Sequence, residues 1–304
     1  MTSADMPVPP LARPENGSRR ALAWDAAVER LVSFAFALPC LAVVAACVLL
    51  PCAWLFWLSA FGADGTASWE NYQRILDGAS YGRIFLTTFE VGLGTVVACV
   101  VLGVPFATFV SGLPPRRAML FLAAVLLPFW TSLLVRAYAW LVLLQRSGLI
   151  NGALLRLGVI DVPLPLAFNQ FATVLGMTHI MLPIFLLPVL GAMRNIDRAL
   201  IRAAASLGAT RGYTYRAVFL PLAAPGIAAG AILVFVMSLG FYVTPAILGG
   251  GNVTVLSMRI ARSLSNYANW GAASALGVLL LAFTAGLFGL SYALQRAFLA
   301  RQRT

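Results

Sequence analysis

The sequence contains no lysine and only one histidine, His179, with ten acidic residues and four cysteines in 304 positions. Charged residues make up 10% of the chain, whereas a soluble domain carries roughly 25%. So few charges cannot cover a water-facing surface of this size, which excludes an ordinary soluble protein. Without lysine there is no GxxxxGK[ST] phosphate loop, and the glycine run Gly249–Gly251 does not replace one. Any ATP hydrolysis therefore belongs to a separate subunit. Cys40, Cys47, Cys52 and Cys99 all sit in apolar runs, form no CxxC pair and are far from His179. That pattern argues against a disulfide framework or a metal site and for buried apolar thiols. No cofactor is expected. An intramembrane serine protease would need a Ser–His arrangement, and no GxSG motif accompanies His179.

What is abundant is apolar: 61% hydrophobic residues and a mean hydropathy of +0.89. Six apolar segments stand at about 32–58, 84–111, 119–144, 169–192, 226–247 and 272–295, each long enough to cross a hydrocarbon core of ~30 Å. In that core only a helix satisfies its own backbone, so the expected fold is all-α with six transmembrane helices. The first segment, from Val32 to Leu58, is about 27 residues and exceeds the 7–15 of a signal peptide's apolar region, so it reads as a span that stays. A polar tail, residues 1–31, precedes it. Its first half, with Pro7, Pro9, Pro10 and Pro14, reads as disordered. The remainder, 32–304, reads as one membrane domain with its core at about 84–296.

The net charge of +11 does not point to nucleic acid, because the arginines cluster between apolar runs. Fourteen fall in the tail, the second and fourth loops and the C-terminus, against six in the other loops. The richer side is expected to be cytoplasmic, with both termini inside. Trp69, Tyr72, Tyr81, Tyr267 and Trp270 fall near outer span ends, where aromatic belts form.

The fourth loop, 193–225, is long and too charged for lipid. Asp197 is placed to cap a helix from Arg198 to Leu207, with Leu200, Ala204 and Leu207 on one face and Ile201 beside them. Gly208 supplies the freedom to end that helix, and Thr210 is placed to cap a second one ending before Pro221. A helix–Gly–helix with an apolar, small-residue stripe suits insertion into another protein's groove. It also suits a helix pair lying on lipid headgroups, and the pattern alone leaves both open.

The stretch RAAASLGATRGYTYRAVFLPLAAPGI, Arg202–Ile227, resembles the coupling signature of bacterial ABC-importer permeases: Glu-Ala-Ala, a Gly four residues after the second Ala, then an apolar residue, Leu and Pro a dozen or so residues on. Ala203, Ala204, Gly208, Leu220 and Pro221 match, and Leu207 lies on the same helix. Arg202 stands where the family has Glu. LPFWTSLLVRAYAW (Leu127–Trp140), SGLINGALLRLGVID (Ser147–Asp161), GFYVTPAILGG (Gly240–Gly250) and WENYQRIL (Trp69–Leu76) resemble the spermidine/putrescine branch. The resemblance implies a type I ABC importer permease fold in the bacterial inner membrane. It also implies a second permease, two ATP-binding subunits, an extracytoplasmic solute-binding protein and transport by alternating access. A polyamine is the implied cargo. Import of another small solute and, with Glu90 as its sole candidate acid, a secondary transporter are the alternatives.

Glu90 and Arg136 lie within spans at similar expected depth with opposite sign. A mutual ion pair is the default reading, because an unpaired charge there is expensive. The functional alternative places Glu90 on the path of a cationic solute. His179 reads as a hydrogen-bonded packing residue more than a proton relay. Trp130, Tyr138, Phe241 and Tyr242, with Phe129 and Trp140, are candidates to line the path and meet a cation on their ring faces, or else simply helix or lipid contacts.

Overall fold

Residues 16–61, 66–267 and 269–301 are described by a computed structural model. They separate into two units, Met1–Trp57 and Leu58–Thr304. The described residues of the first unit form one helix, α1, Asn16–Ser59, which ends just beyond it. The described part of the tail, from Asn16, is helical and runs into the first span. The half expected to be disordered lies outside the described residues. The most apolar window of the stretch Phe34–Ser59 has no buried residue, so its apolar surface suits lipid contact.

The second unit holds α2 (Glu70–Asp77), α3 (Ala79–Ser111), α4 (Pro115–Leu126), α5 (Leu133–Leu144), α6 (Leu149–Arg156), α7 (Gln170–Arg194), α8 (Arg198–Ser206), α9 (Arg211–Thr214), α10 (Leu220–Leu239), α11 (Val243–Leu248), α12 (Leu256–Tyr267) and α13 (Trp270–Arg301). Among the described residues there is no strand beyond an isolated bridge, Phe61–Ala67. Six helical stretches are long and apolar enough to cross a membrane.

Helix α7 forms the centre. Asn169 caps it, its Oδ1 accepting from the Ala172 N–H at 2.8 Å. Met177, Met181, Phe185 and Val189 along it are fully buried. Both α3 and α10 pack on α7 and on each other. Glycines set the approach: a Cβ on Gly103 of α3 would lie 2.6 Å from Phe185 Cδ1, and one on Gly230 of α10 3.0 Å from Cδ2. Without a hydrophobic driving force between helices in lipid, such close packing carries the association. Several hydroxyls within the spans are satisfied locally. Thr95, Thr108, Thr178 and Ser238 each donate to the carbonyl four residues back.

Two spans depart from their expected outlines. The segment expected as one helix over 119–144 is broken. A 3-10 turn, Leu127–Trp130, follows α4, and Thr131 donates through both its N–H (3.1 Å) and its hydroxyl (2.7 Å) to the Pro128 carbonyl. Pro128 has no N–H to continue the ladder, and α5 restarts at Leu133. The fifth span, expected at 226–247, instead ends at Leu239. Gly240 stops it, and the residues after it turn into the short helix α11.

Candidate functional site

The two ends of the bundle carry different chemistry. At the arginine-rich end, Asp197 Oδ1 accepts from the Ala199 N–H at 2.8 Å and starts α8. The helix closes with two reversed bonds, Gly208 N–H to the Ala205 carbonyl (3.0 Å) and Ala209 N–H to the Ala204 carbonyl (3.1 Å). Gly208 has φ +79 and open space where a Cβ would go. This is a Schellman ending, which requires the left-handed conformation that glycine adopts freely. Thr210 Oγ1 then accepts from the Tyr213 N–H at 3.4 Å and starts α9.

The second helix does not end before Pro221, as the sequence suggested. A π-helical turn, Tyr215–Phe219, joins α9 to α10, with the Leu220 N–H reaching the Tyr215 carbonyl. The widened turn accommodates Pro221, whose missing N–H would leave a gap in a regular ladder. Arg211–Leu239 is thus one helical rod of 29 residues.

The apolar stripe on α8 also divides. Ile201 and Ala204 are half-buried toward the body. Ala203 faces out with Leu200 and Leu207, the last 89% exposed. Leu220 packs against the central core, and Pro221 is exposed. Arg202 lines a cavity of about 580 Å³ with Arg194, Arg198 and Arg211, closed by Tyr215, whose hydroxyl lies 3.3 Å from Thr108 Oγ1.

At the opposite end a cavity of about 790 Å³ opens between α3, the start of α7, the loop before α12, and α12 itself. The loop is fixed at Phe168, which has φ 60 and accepts Asn252 Nδ2 at its carbonyl at 2.9 Å. Helix α12 is tied to α3 by the Leu256 N–H donating to Thr88 Oγ1 at 2.9 Å. Glu90 lines this cavity, eleven positions into α3, or ~16 Å along the helix axis. The helix begins at Ala79, before the apolar segment expected from about 84. Glu90 Oε2 accepts from Gln170 Nε2 at 3.2 Å.

The expected Glu90–Arg136 ion pair does not form. Among the described residues the one salt bridge is Arg74–Glu70, at 2.5 Å. The reason is helix order: α3 packs on α7 and α10, whereas α5 packs on α6, α7 and α11. Arg136 instead lies with its guanidinium carbon 5.8 Å from the Phe129 ring centroid, and its buried Nε has no hydrogen-bond partner. His179 Nδ1 accepts from Trp140 Nε1–H at 3.0 Å, a packing role that leaves Nε2 as its proton-bearing nitrogen.

Of the residues considered for the path, only Glu90 lines the 790 Å³ cavity. Trp130 and Tyr138 are exposed, Phe241 packs against the core and Tyr242 is 47% exposed. Sequence reasoning missed Asn169, Gln170, Asn252, Arg83, Arg259 and Arg262, which share the cavity with Glu90. The three arginines had been read only as topology signals. The i, i+3 spacing of Arg259 and Arg262 beside the buried Leu256 and Ser263 was the available sign of an amphipathic helix with a polar face.

A family model described as the binding-protein-dependent transport system inner membrane component matches residues 17–303. The spermidine/putrescine transport system permease protein PotB of Escherichia coli (strain K12) is 34% identical over 209 residues, covering 68% of this chain and 76% of PotB. Among solved structures, a bacterial alginate ABC transporter in complex with alginate pentasaccharide-bound periplasmic protein matches with a TM-score of 0.72 at 17% identity, over 90% of this chain and 97% of that one. The MetNI methionine ABC transporter in an inward-facing conformation matches with a TM-score of 0.52 at 19% identity, over 71% and 94%. At those identities the structural likeness is one of fold.

Proposed function

The chain belongs to the binding-protein-dependent transport system inner membrane components, and on that premise we propose that it forms part of the passage of an importer for a small amine-bearing solute. It is an ABC-importer permease and a multi-pass inner-membrane protein. The partners of this reading are a second permease, identical or different, two ATP-binding subunits and an extracytoplasmic solute-binding protein. The arginine-rich end faces the cytoplasm, where positive charge is retained.

One observation carries the reading: α8 is an amphipathic helix with its apolar, small-residue face, Leu200–Ala203–Leu207, turned outward and its ending fixed by Gly208. Such a helix offers a nucleotide-binding subunit a contact, and the chain transmits movement from it. The rod Arg211–Leu239 spans ~43 Å. At its far end Ser257 Oγ donates to the Phe241 carbonyl at 2.7 Å, and Ser257 belongs to α12, which carries Arg259 and Arg262 into the outer cavity. Closure of the nucleotide-binding subunits on ATP therefore has a mechanical route to the cavity that receives solute, as alternating access requires. The identity with PotB supports an amine-bearing cargo, of which the polyamines are one class, and Glu90 supplies a carboxylate for an ammonium group.

The test is ATPase activity stimulated by loaded binding protein, with uptake, in the reconstituted complex. Gly208→Val forces a β-branched residue into positive φ, at a cost of about 1–2 kcal/mol or more. Ala203→Trp adds bulk on the outward face. Ala204→Trp lifts α8 off its own body. All three are expected to lower stimulated hydrolysis and uptake while leaving the spans inserted. Arg202→Glu, which restores the family's usual residue, is expected to be tolerated. Normal coupling in Gly208→Val and Ala203→Trp together would assign α8 to the lipid surface instead.

A further inference from the structure

The outer cavity carries charges of both signs that do not neutralise one another. Arg83 on α3 and Arg259 and Arg262 on α12 line it with Glu90. No arginine pairs with Glu90, since the one salt bridge among the described residues lies elsewhere.

Each sign is held in place by neutral groups. Gln170 orients the Glu90 carboxylate. Tyr81, itself buried, fixes Arg259: the guanidinium carbon sits 5.3 Å from its ring centroid, and Nη2 donates to the hydroxyl at 3.3 Å. The Arg259 Nε is buried with no partner. Asn169, Asn252 and Thr254 add uncharged polar groups to the wall.

Glu90, Arg83 and Arg262 are exposed to this cavity, and ionisable groups of a membrane protein that face a water-filled cavity mark solute paths. None of the three guanidinium groups lies within ion-pair distance of the Glu90 carboxylate, which leaves both signs free for a ligand. A pure polycation would find one carboxylate and three guanidinium groups, and the like charges oppose it. We infer that the solute carries an anionic group, a carboxylate or a phosphonate, in addition to its amine. The ammonium meets Glu90 and the anion meets Arg259 and Arg262, whose planar forks suit a carboxylate or phosphonate. A cavity of about 790 Å³ holds such a molecule with room for water. This inference rests on reading the cavity as the solute entrance.

The experiment uses the complete importer with its own binding protein. Melting shifts of the binding protein are read against three sets of probes: diamines such as putrescine, amine–anion compounds such as ornithine and 2-aminoethylphosphonate, and dicarboxylates such as succinate. Uptake of the compound with the largest shift is then measured in wild type, Arg262→Gln, Arg259→Lys and Glu90→Gln. Arg262 is exposed and makes no hydrogen bond or ion pair among the described residues, so its variant reads the ligand more than the fold.

The expected result is selection of an amine–anion compound, with at least tenfold lower uptake in Arg262→Gln and in Glu90→Gln at unchanged complex yield, and a smaller loss in Arg259→Lys. Selection of a diamine, of a dicarboxylate or of none of the three sets overturns the inference. So does uptake that Arg262→Gln leaves at the wild-type rate. If that uptake nevertheless collapses in Gly208→Val, the importer reading stands and only the cargo chemistry falls. If Gly208→Val and Ala203→Trp also transport normally, the coupling reading falls with it.

Discussion

Phe185 sits between two glycines on neighbouring helices, and enlarging one of them has a cost that follows from the geometry. A Cβ on Gly103 would stand 2.6 and 2.7 Å from Phe185 Cδ1 and Cε1, with Leu182 Cδ1 at 3.3 Å. Carbon atoms prefer about 3.5–4.0 Å, so Gly103→Ala overlaps the ring by about 1 Å on that scale. The ring cannot retreat, because Gly230 and the backbone of α10 close its other side and Phe185 has no exposed surface. Overpacking of this kind costs roughly 1–3 kcal/mol, partly offset by the ~1 kcal/mol by which Ala exceeds Gly inside a helix. The expected net loss is up to about 2 kcal/mol. Gly191→Ala on α7 is the control, since nothing beyond its own helix turn lies within 4 Å of its Cβ position, and it should be neutral or mildly stabilising. The assay is thermal loss of monodisperse protein in detergent, read by gel filtration after heating. Phe185→Leu should cost stability alone by leaving space, yet recover part of the Gly103→Ala loss in the double variant, with a coupling of at least ~0.5 kcal/mol. Additive effects of Gly103→Ala and Phe185→Leu in the double variant would refute the tight α3–α7–α10 packing.

Other expectations follow from the same structure. Because Glu90 and Arg136 do not pair, Glu90→Gln should leave permease yield unchanged, alone or added to Arg136→Gln, within about 0.5 kcal/mol, and recovery of an Arg136→Gln loss in the double variant would reinstate the ion pair. In a background lacking Cys40, Cys47, Cys52 and Cys99, a cysteine at Leu157, which is 75% exposed, should react with an impermeant thiol reagent in intact cells. One at Arg211 should not, and reversed labelling would invert the topology. Asn151 is fully buried, donating to the Gln145 and Leu164 carbonyls at 3.1 and 3.0 Å and accepting from the Leu164 N–H at 2.9 Å. Asn151→Ala should therefore lower the melting temperature by an amount matching about 1–3 kcal/mol, whereas Asn151→Asp keeps the acceptor and should lose less.

By itself the sequence determined what depends on local composition and short spacing. Six long apolar runs require helices, because hydrocarbon offers no partner for a free backbone group. The Asp197 cap, the Gly208 ending and the Thr210 start were all legible, since each is a bond between residues two to five apart. The Pro128 break and the π turn before Pro221 were not, although both prolines were visible. A proline removes one hydrogen bond, and the surrounding packing decides whether the helix kinks, breaks or widens. Charge pairing lay further from reach. Glu90 and Arg136 matched in depth and sign, but only the order of helices around α7 put Gln170 beside Glu90 and left Arg136 near Phe129. The outer cavity is the extreme case. Arg83 and Arg259 come from helices far apart in the chain, and each read alone as a topology signal. Only tertiary packing brings them to one wall facing a carboxylate, because a long-range contact leaves no periodic trace in either segment.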